Sequence, residues 1–412
     1  MGSAIIYTIA NFTVAGVPFL LLPILTRNLS PEEYGAVAMF MVVVAFMAVG
    51  AGLNTHGAIM IRYHNSDLFQ TSTYVSSVLF ILLASTSVLA IIVYLGQASL
   101  ELYTGLPITW IAFAVFVASS QFIVQILLTL WQASGQPTKF ASLRISQATL
   151  DGVLSLFLVI TLTLSWEGRL LGIGAAWGIS AIAAFYFLNK GGWLVKTPDR
   201  YHAKDALRYG IPLLPHAMAG LALAMTDRFL VTNLMDLTST GIYMVAVQIG
   251  MILQIAADAF NKAFAPWLIN ALHTANINRD KKIVRYTYLY FFVILSIAIG
   301  IGAASDFIVY LVAGDQYKEA ADIAKYTLIG NAFVGMYFMV TNYVFFSRRT
   351  ELLSLTTTII GVATFGLTYY LIKINGATGA AQAFMISQIL MFLVTWYIAN
   401  KCHSMPWGLR SK

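Results

Sequence analysis

A chain of 412 residues that is 59% hydrophobic and only 10% charged reads as a polytopic membrane protein, because a soluble domain carries about 25% charged residues. Its mean hydropathy is +0.78. The net charge of +7 follows membrane topology rather than a nucleic-acid partner, and none is expected. The single cysteine, Cys402, excludes an intrachain disulfide framework.

The pattern predicts twelve apolar helices near 3–26, 35–61, 72–95, 106–131, 144–165, 170–189, 207–234, 240–265, 284–304, 322–346, 351–372 and 378–400. The first lacks a basic leader and a small-residue cleavage site, so it is expected to remain as a helix. Connections reach about 20 residues at most, which leaves no room for a soluble catalytic domain.

Polar residues interrupt several of these runs. The first helix carries Asn11, Pro18 and Pro23. The second holds Asn54 and His56 and ends at Arg62. The fifth carries Arg144, Gln147, Asp151 and Ser155 at helical spacing, and the tenth carries Asn331 and Asn342. Such stripes turn inward, since polar groups facing lipid are left unsatisfied. His56 and His216 are read as hydrogen-bonders between helices ahead of proton carriers.

The seventh run, 207–234, is broken by Pro212 and Pro215 and carries Asp227 and Arg228. Asp227 sits roughly 13 Å inside the run, counted back from Asp236. A charge at that depth costs at least about 2.5–3.5 kcal/mol, which marks a functional candidate. The alternative is a structural pair. Adjacent helical residues differ by about 100° in direction, so Arg228 is assigned to the lumen and Asp227 to a basic partner on another helix or to a coupling proton. On the eighth helix Gln248, Asp258 and Lys262 share a face, and Asp258 and Lys262 form a local i,i+4 pair.

Orientation follows from the basic residues. With the N-terminus inside, Arg62, Lys139, Arg144, Lys190, Lys196, Arg200, Lys204, Arg208, Lys262, Arg279, Lys281, Lys282, Arg285, Arg348, Arg349, Lys401, Arg410 and Lys412 fall on the inner side. Only Arg27, Arg169, Arg228, Lys318, Lys325 and Lys373 fall outward, so both termini are expected in the cytoplasm.

The chain also repeats itself. Gly35-Ala-Val recurs as Gly241-Ile-Tyr at an offset of 206, and Gly174-Ala-Ala recurs as Gly379-Ala-Ala at 205. Six helices per half return the chain to the same side, so the halves are parallel repeats. The expected division is an N-terminal lobe 1–189, a cytoplasmic linker 190–206 and a C-terminal lobe 207–412.

Charge depth points to an anionic substrate. Arg62, Arg144 and Lys262 stand at inner helix ends and Arg228 lies further along, a path that draws a phosphate inward. These cations also satisfy the topology rule, and that reading stays open. The sequence offers no metal cluster, P-loop or nucleophile motif. Gly174 and Gly178 form a GxxxG pattern that argues close helix packing at most.

Pro23 to Gly35 (PILTRNLSPEEYG), Gly52-Leu-Asn through Tyr63, Tyr209 to Pro215 (YGIPLLP), Asp227-Arg-Phe-Leu, Gly241-Ile-Tyr and Asn261 to Trp267 (NKAFAPW) together resemble a family. It is the Wzx-type polysaccharide flippases of the multidrug/oligosaccharidyl-lipid/polysaccharide superfamily. The resemblance implies an all-α fold of two six-helix lobes around a central cavity in the bacterial inner membrane. It implies outward transfer of an undecaprenyl-diphosphate-linked oligosaccharide, without a cofactor other than a coupling H+ or Na+. A polysaccharide polymerase and a chain-length regulator are the implied protein partners. The expected substrate contacts are Arg62, Arg144, Arg228, Lys262, Gln147 and Asn54, with Asp151, Asp227, Asp258 and His216 for coupling or ion pairing. Two rivals remain: an organic-cation antiporter of the same superfamily, which needs an acidic pocket, and a non-transporting assembly partner. A membrane glycosyltransferase or polymerase is disfavoured by the short loops.

Overall fold

The computed structural model describes residues 2–63, 68–195, 197–273 and 276–408. Lys196, Arg410 and Lys412, counted above as inner cations, lie outside the described residues. Those described form helices and no strand. This follows from the solvent, because in hydrocarbon a backbone must satisfy its own hydrogen bonds and a helix does so within one segment.

Two compact units divide the chain, residues 1–241 and 242–412. The first holds α1 (Gly2–Asn28), α2 (Pro31–Gly50), α3 (His56–Tyr63), α4 (Leu68–Leu95), α5 (Gln97–Thr104), α6 (Ile108–Ala133), α7 (Pro137–Leu156), α8 (Ser165–Lys190), α9 (Arg200–Gly210) and α10 (Leu214–Leu234). α11 (Leu237–Leu272) begins at the end of this unit and continues into the second. There α12 (Ile277–Ala303), α13 (Ser305–Ala313), α14 (Ala320–Phe346) and α15 (Thr350–Cys402) follow.

Ten helices among the described residues are long and apolar enough to cross a bilayer. α15, at 53 residues, is one of them and spans roughly 80 Å if straight, enough for two crossings. It turns at Gly376, whose φ of 60° and ψ of −145° belong to glycine. α10 is a helix of 21 residues that falls outside the ten because its charges lower its hydropathy. With α15 counted twice and α10 added, the crossings are the twelve expected.

Each unit has its own apolar core. In the first, Tyr74, Phe122, Leu127, Trp131 and Leu188 pack together. In the second, Phe291, Met336, Tyr343 and Phe392 do so. Large apolar side chains such as Leu83, Ile182, Phe292 and Val362 point outward, as lipid-facing residues do.

Helix ends account for most departures from the predicted spans. Ser30 starts α2 with a capping box: Glu33 N–H donates to Ser30 Oγ at 3.3 Å, and Ser30 N–H donates to Glu33 Oε2 at 2.8 Å. The predicted second span breaks at Gly52, Leu53 and Asn54, which have φ of 67°, 51° and 60°. The predicted seventh span is two helices. α9 ends at Gly210, and α10 begins at Leu214 with Pro215 in its first turn, where a missing N–H costs nothing. Pro18 and Pro23 do lie inside α1.

Candidate functional site

The turn after α2 determines what gathers at the end of α3. Gly52 N–H donates to Ser85 Oγ of α4 at 2.9 Å, and a Cβ at Gly52 would lie 2.1 Å from the Phe122 ring. Asn54, expected to contact substrate, lies in this left-handed turn. Two non-glycine residues with positive φ in succession store of the order of 1–3 kcal/mol each.

Against this turn rests the end of α9. A Cβ at Gly210 would lie 2.2 Å from the Leu53 carbonyl oxygen, so only glycine permits the approach. Asp199 caps the other end of α9, accepting from His202 N–H at 3.1 Å and lying 2.6 Å from His202 Nδ1. Its own N–H donates to Ser77 Oγ at 2.9 Å. The hydrogen bonds of His202 hold the Asp199 carboxyl below the usual range. Ala206 is fully buried on the inward face.

These anchors deliver Asp205 to Arg62. The pair is bidentate: Nη2 donates to Oδ1 at 2.6 Å and Nε donates to Oδ2 at 3.0 Å. Tyr74 O–H donates to the same Oδ2 at 3.0 Å. Burial pushes the Asp205 carboxyl up, but hydrogen bonds from Arg62 and Tyr74 outweigh it and leave the carboxyl below its ordinary value. The same pairing raises the Arg62 guanidinium. The side chains remain 49% and 24% exposed, so the pair is worth at most about 1 kcal/mol and can exchange partners.

Beside the pair lies an open-sided cavity of about 230 Å³, lined by Ala58, Ile61, Arg62, Asp205, Arg208 and Tyr209. Its charged lining is two guanidiniums against one carboxylate. Arg208 is exposed and makes no ion pair with a described residue. The arrangement suits a compact anion whose remainder stays outside.

Arg144 does not line this cavity. It stands half-buried on α7, one turn before the buried Gln147. Further along that face Asp151 pairs with Arg169 of α8 at 2.5 Å, and Arg169 also donates to Ser155. Arg169 is 9% exposed. A Cβ at Gly172 would lie 2.5 Å from Ser155 Oγ and 2.6 Å from its Cα, so glycine brings α8 onto α7 there. Counted only as an outward cation, Arg169 is the residue that sequence reasoning missed. Gly174 and Gly178 face the rings of Phe113 and Phe116, not a helix backbone.

On α10 Asp227 and Arg228 are in contact with each other: Asp227 Oδ1 accepts from Arg228 N–H at 2.8 Å and from its Nη1 at 3.2 Å. Arg228 Nη1 also donates to the Ala224 carbonyl at 2.7 Å. The long guanidinium side chain bends back along the helix, which a 100° separation of Cβ directions does not forbid. His216 is exposed in the first turns of α10. His56 packs edge-on against Phe122 at 5.5 Å, and its Nδ1 has no hydrogen-bond partner among the described residues, unlike the inter-helix bond expected.

In the second unit Asp258 and Lys262 form the predicted i,i+4 pair at 2.6 Å. Asn342 Nδ2 donates to Asn261 Oδ1 at 2.9 Å and ties α14 to α11. Among the described residues no cluster of three His, Cys, Asp or Glu is placed to hold a metal ion.

Residues 2–272 match the family model described as polysaccharide biosynthesis protein. The Lsg locus putative protein 1 of Haemophilus influenzae is 24% identical over 414 residues, 95% of this chain and 97% of that protein. The succinoglycan biosynthesis transport protein ExoT of Rhizobium meliloti is 47% identical over 49 residues, 12% of this chain and 10% of that protein. Among solved structures, the lipid II flippase MurJ in an inward closed conformation matches with a TM-score of 0.75 at 16% identity, covering 96% and 87% of the two chains. An inward-facing multidrug resistance MATE family transporter of the MOP superfamily matches with a TM-score of 0.62 at 15% identity, covering 96% and 95%. At these identities the structural matches speak for the fold.

Proposed function

The chain belongs to the family of polysaccharide biosynthesis proteins, and from that premise we propose that it moves an undecaprenyl-diphosphate-linked oligosaccharide, an O-antigen or capsule repeat unit, from the cytoplasmic to the outer leaflet. At the coarser level it is a multi-pass membrane transporter of the flippase type and not an enzyme. Transfer proceeds by alternating access in the inner membrane, with both termini cytoplasmic. Partners such as a polymerase and a chain-length regulator take over the product.

The observation that carries this reading is the cavity beside α3 and α9. Arg62 is held in fork geometry by Asp205, to which Tyr74 also donates, and Arg208 offers a second guanidinium in the same lining. A diphosphate matches that fork and competes with Asp205 for Arg62. The sugar hydroxyls, each costing several kcal/mol in hydrocarbon without a partner, need a polar path beyond. Arg144, Gln147, Arg228, Lys262 and Asn54 are the further substrate contacts proposed.

The organic-cation reading needs an accessible acidic pocket. Asp151, Asp227 and Asp258 are each in contact with a basic residue, Arg169, Arg228 and Lys262. Any H+ or Na+ that couples to transport at these carboxylates therefore has to open an ion pair first.

The deciding experiment deletes the gene and follows undecaprenyl-diphosphate-linked repeat units. Accumulation of the lipid-linked unit on the cytoplasmic face, relieved by the wild-type gene, is the expected result. Normal surface polysaccharide without the gene, combined with altered export of organic cations, would sink the proposal.

A further inference from the structure

α9 carries a cationic stripe of which the transport reading uses only Arg208. Arg200, Lys204 and Arg208 follow one another at intervals of four, so they form one stripe along the helix. All three are exposed, while Ala206 is fully buried and Ala203 and Leu207 pack on the core of the first unit. The one carboxylate within α9, Asp205, is turned to Arg62. Asp199, at the cap, is taken by His202. None of the three stripe residues makes an ion pair with a described residue.

Depth follows from the chain. Only Ile211, Pro212 and Leu213 separate α9 from α10, which the sequence pattern reads as a membrane crossing. Arg208 thus lies about 9 Å from the start of that span, and Lys204 and Arg200 each follow one turn further out, about 6 Å apart. The headgroup layer on either side of the hydrocarbon is of comparable thickness. The residues around the stripe are those of a membrane interface: Tyr201 is 76% exposed, and Ile211 and Leu213 are exposed at its foot.

We propose that the Arg200–Lys204–Arg208 stripe of α9 binds the headgroups of anionic phospholipids in the leaflet that α9 borders. Such a contact fastens α9 to the membrane surface and holds Asp205 in place against Arg62. Each basic residue near an anionic surface contributes roughly fivefold to the partition constant. The site is separate from the substrate cavity except at Arg208, so its test leaves Arg208 alone.

The test uses the full-length protein, purified in a neutral detergent and titrated with phosphatidylglycerol or phosphatidylcholine, with bound lipid counted by native mass spectrometry. Wild type is expected to retain phosphatidylglycerol in preference to phosphatidylcholine. R200Q/K204Q should weaken phosphatidylglycerol retention roughly 25-fold and leave phosphatidylcholine unchanged. K281Q/K282Q, which removes two cations of α12, should retain phosphatidylglycerol as wild type does. Added NaCl should erase the preference, since the stripe is exposed. The proposal is overturned if R200Q/K204Q binds phosphatidylglycerol like wild type, or if K281Q/K282Q weakens it equally, which would make net charge the cause. Because both substituted positions are exposed, an unchanged melting temperature is expected and confirms that the variant is folded.

Discussion

Gly35 of α2 and Gly241 of α11 close on each other with no room for a side chain on either. A Cβ at Gly35 would lie 1.9 Å from the Leu237 carbonyl oxygen, and a Cβ at Gly241 would lie 1.9 Å from that of Pro31. The contact is reciprocal: Leu237 stands 206 residues after Pro31, as Gly241 does after Gly35. An interface in which i meets j and j meets i is what a local two-fold relation produces. The repeat read along the chain is here a contact in space.

Alanine at either glycine therefore has to push two helix starts apart. G35A and G241A are each expected to lose about 1–3 kcal/mol, the range for overpacking a filled site. Thermal unfolding in detergent measures it. A melting temperature equal to wild type in both variants would contradict the contact.

These glycines also illustrate what the sequence makes visible. The twelve crossings, the Asp258–Lys262 pair and the recurrence of Gly35 at Gly241 are local or periodic signals, and all were legible. Asp205 was not, because nothing in the sequence says that a carboxylate 143 positions away will meet Arg62. Arg169 was misjudged for the same reason: its charge fitted the topology count, while its partner lies on the preceding helix and is reached only because Gly172 lets α8 approach Ser155. Leu53 with positive φ leaves no mark in an apolar run. It is held by its surroundings, Gly52 against Phe122 and Gly210 against the Leu53 carbonyl.

The cavity beside α3 and α9 predicts an ordered series for transport. R62A should lower surface-polysaccharide export most, and R62K less, since lysine keeps the charge but loses the fork. R208A should lower export as well, with accumulation of the protein unchanged because Arg208 is exposed. R144A tests the residue that the structure places outside this cavity. Full export by both R62A and R208A at normal protein level would reduce these cations to topology markers.

Acid should release α9. The folded Asp205 carboxyl titrates below its ordinary value, which in an unfolded chain is about 3.9. A depressed carboxyl stabilises above its unfolded pKa and loses that contribution as pH falls through the folded one. Arg62, with its raised pKa, stays charged throughout. The protection of residues 200–210, taken as exchange relative to the intrinsic amide rate at each pH, should thus be steady from about pH 8 to 5 and fall only below about 4. D205N should be less protected than wild type at neutral pH, converge with it in acid, and keep only the acid dependence that the Asp199 cap supplies.

Topology has a built-in reporter in Cys402, the one cysteine, at the end of α15 and partly exposed. An impermeant thiol reagent should label it in inverted vesicles and not in sealed, right-side-out cells. Labelling in the sealed cells would place the C-terminus outside and reverse the assignment of every inner cation.

Asp151 and Arg169 separate a packing role from a coupling role. Their side chains are 19% and 11% exposed, and removing one partner from such a buried pair costs about 3–5 kcal/mol. Replacing both with apolar residues of similar size is nearly neutral or stabilising, because no charge is left behind. If the pair only holds α7 to α8, D151N and R169M should each lower the melting temperature by several degrees. D151L/R169M should restore most of it and support transport. If Asp151 carries a coupling ion, the double variant should be stable yet lose the dependence of transport on the ion gradient. Transport by D151L/R169M that still follows the gradient would remove Asp151 from the coupling candidates and leave the pair as the lock between two helices.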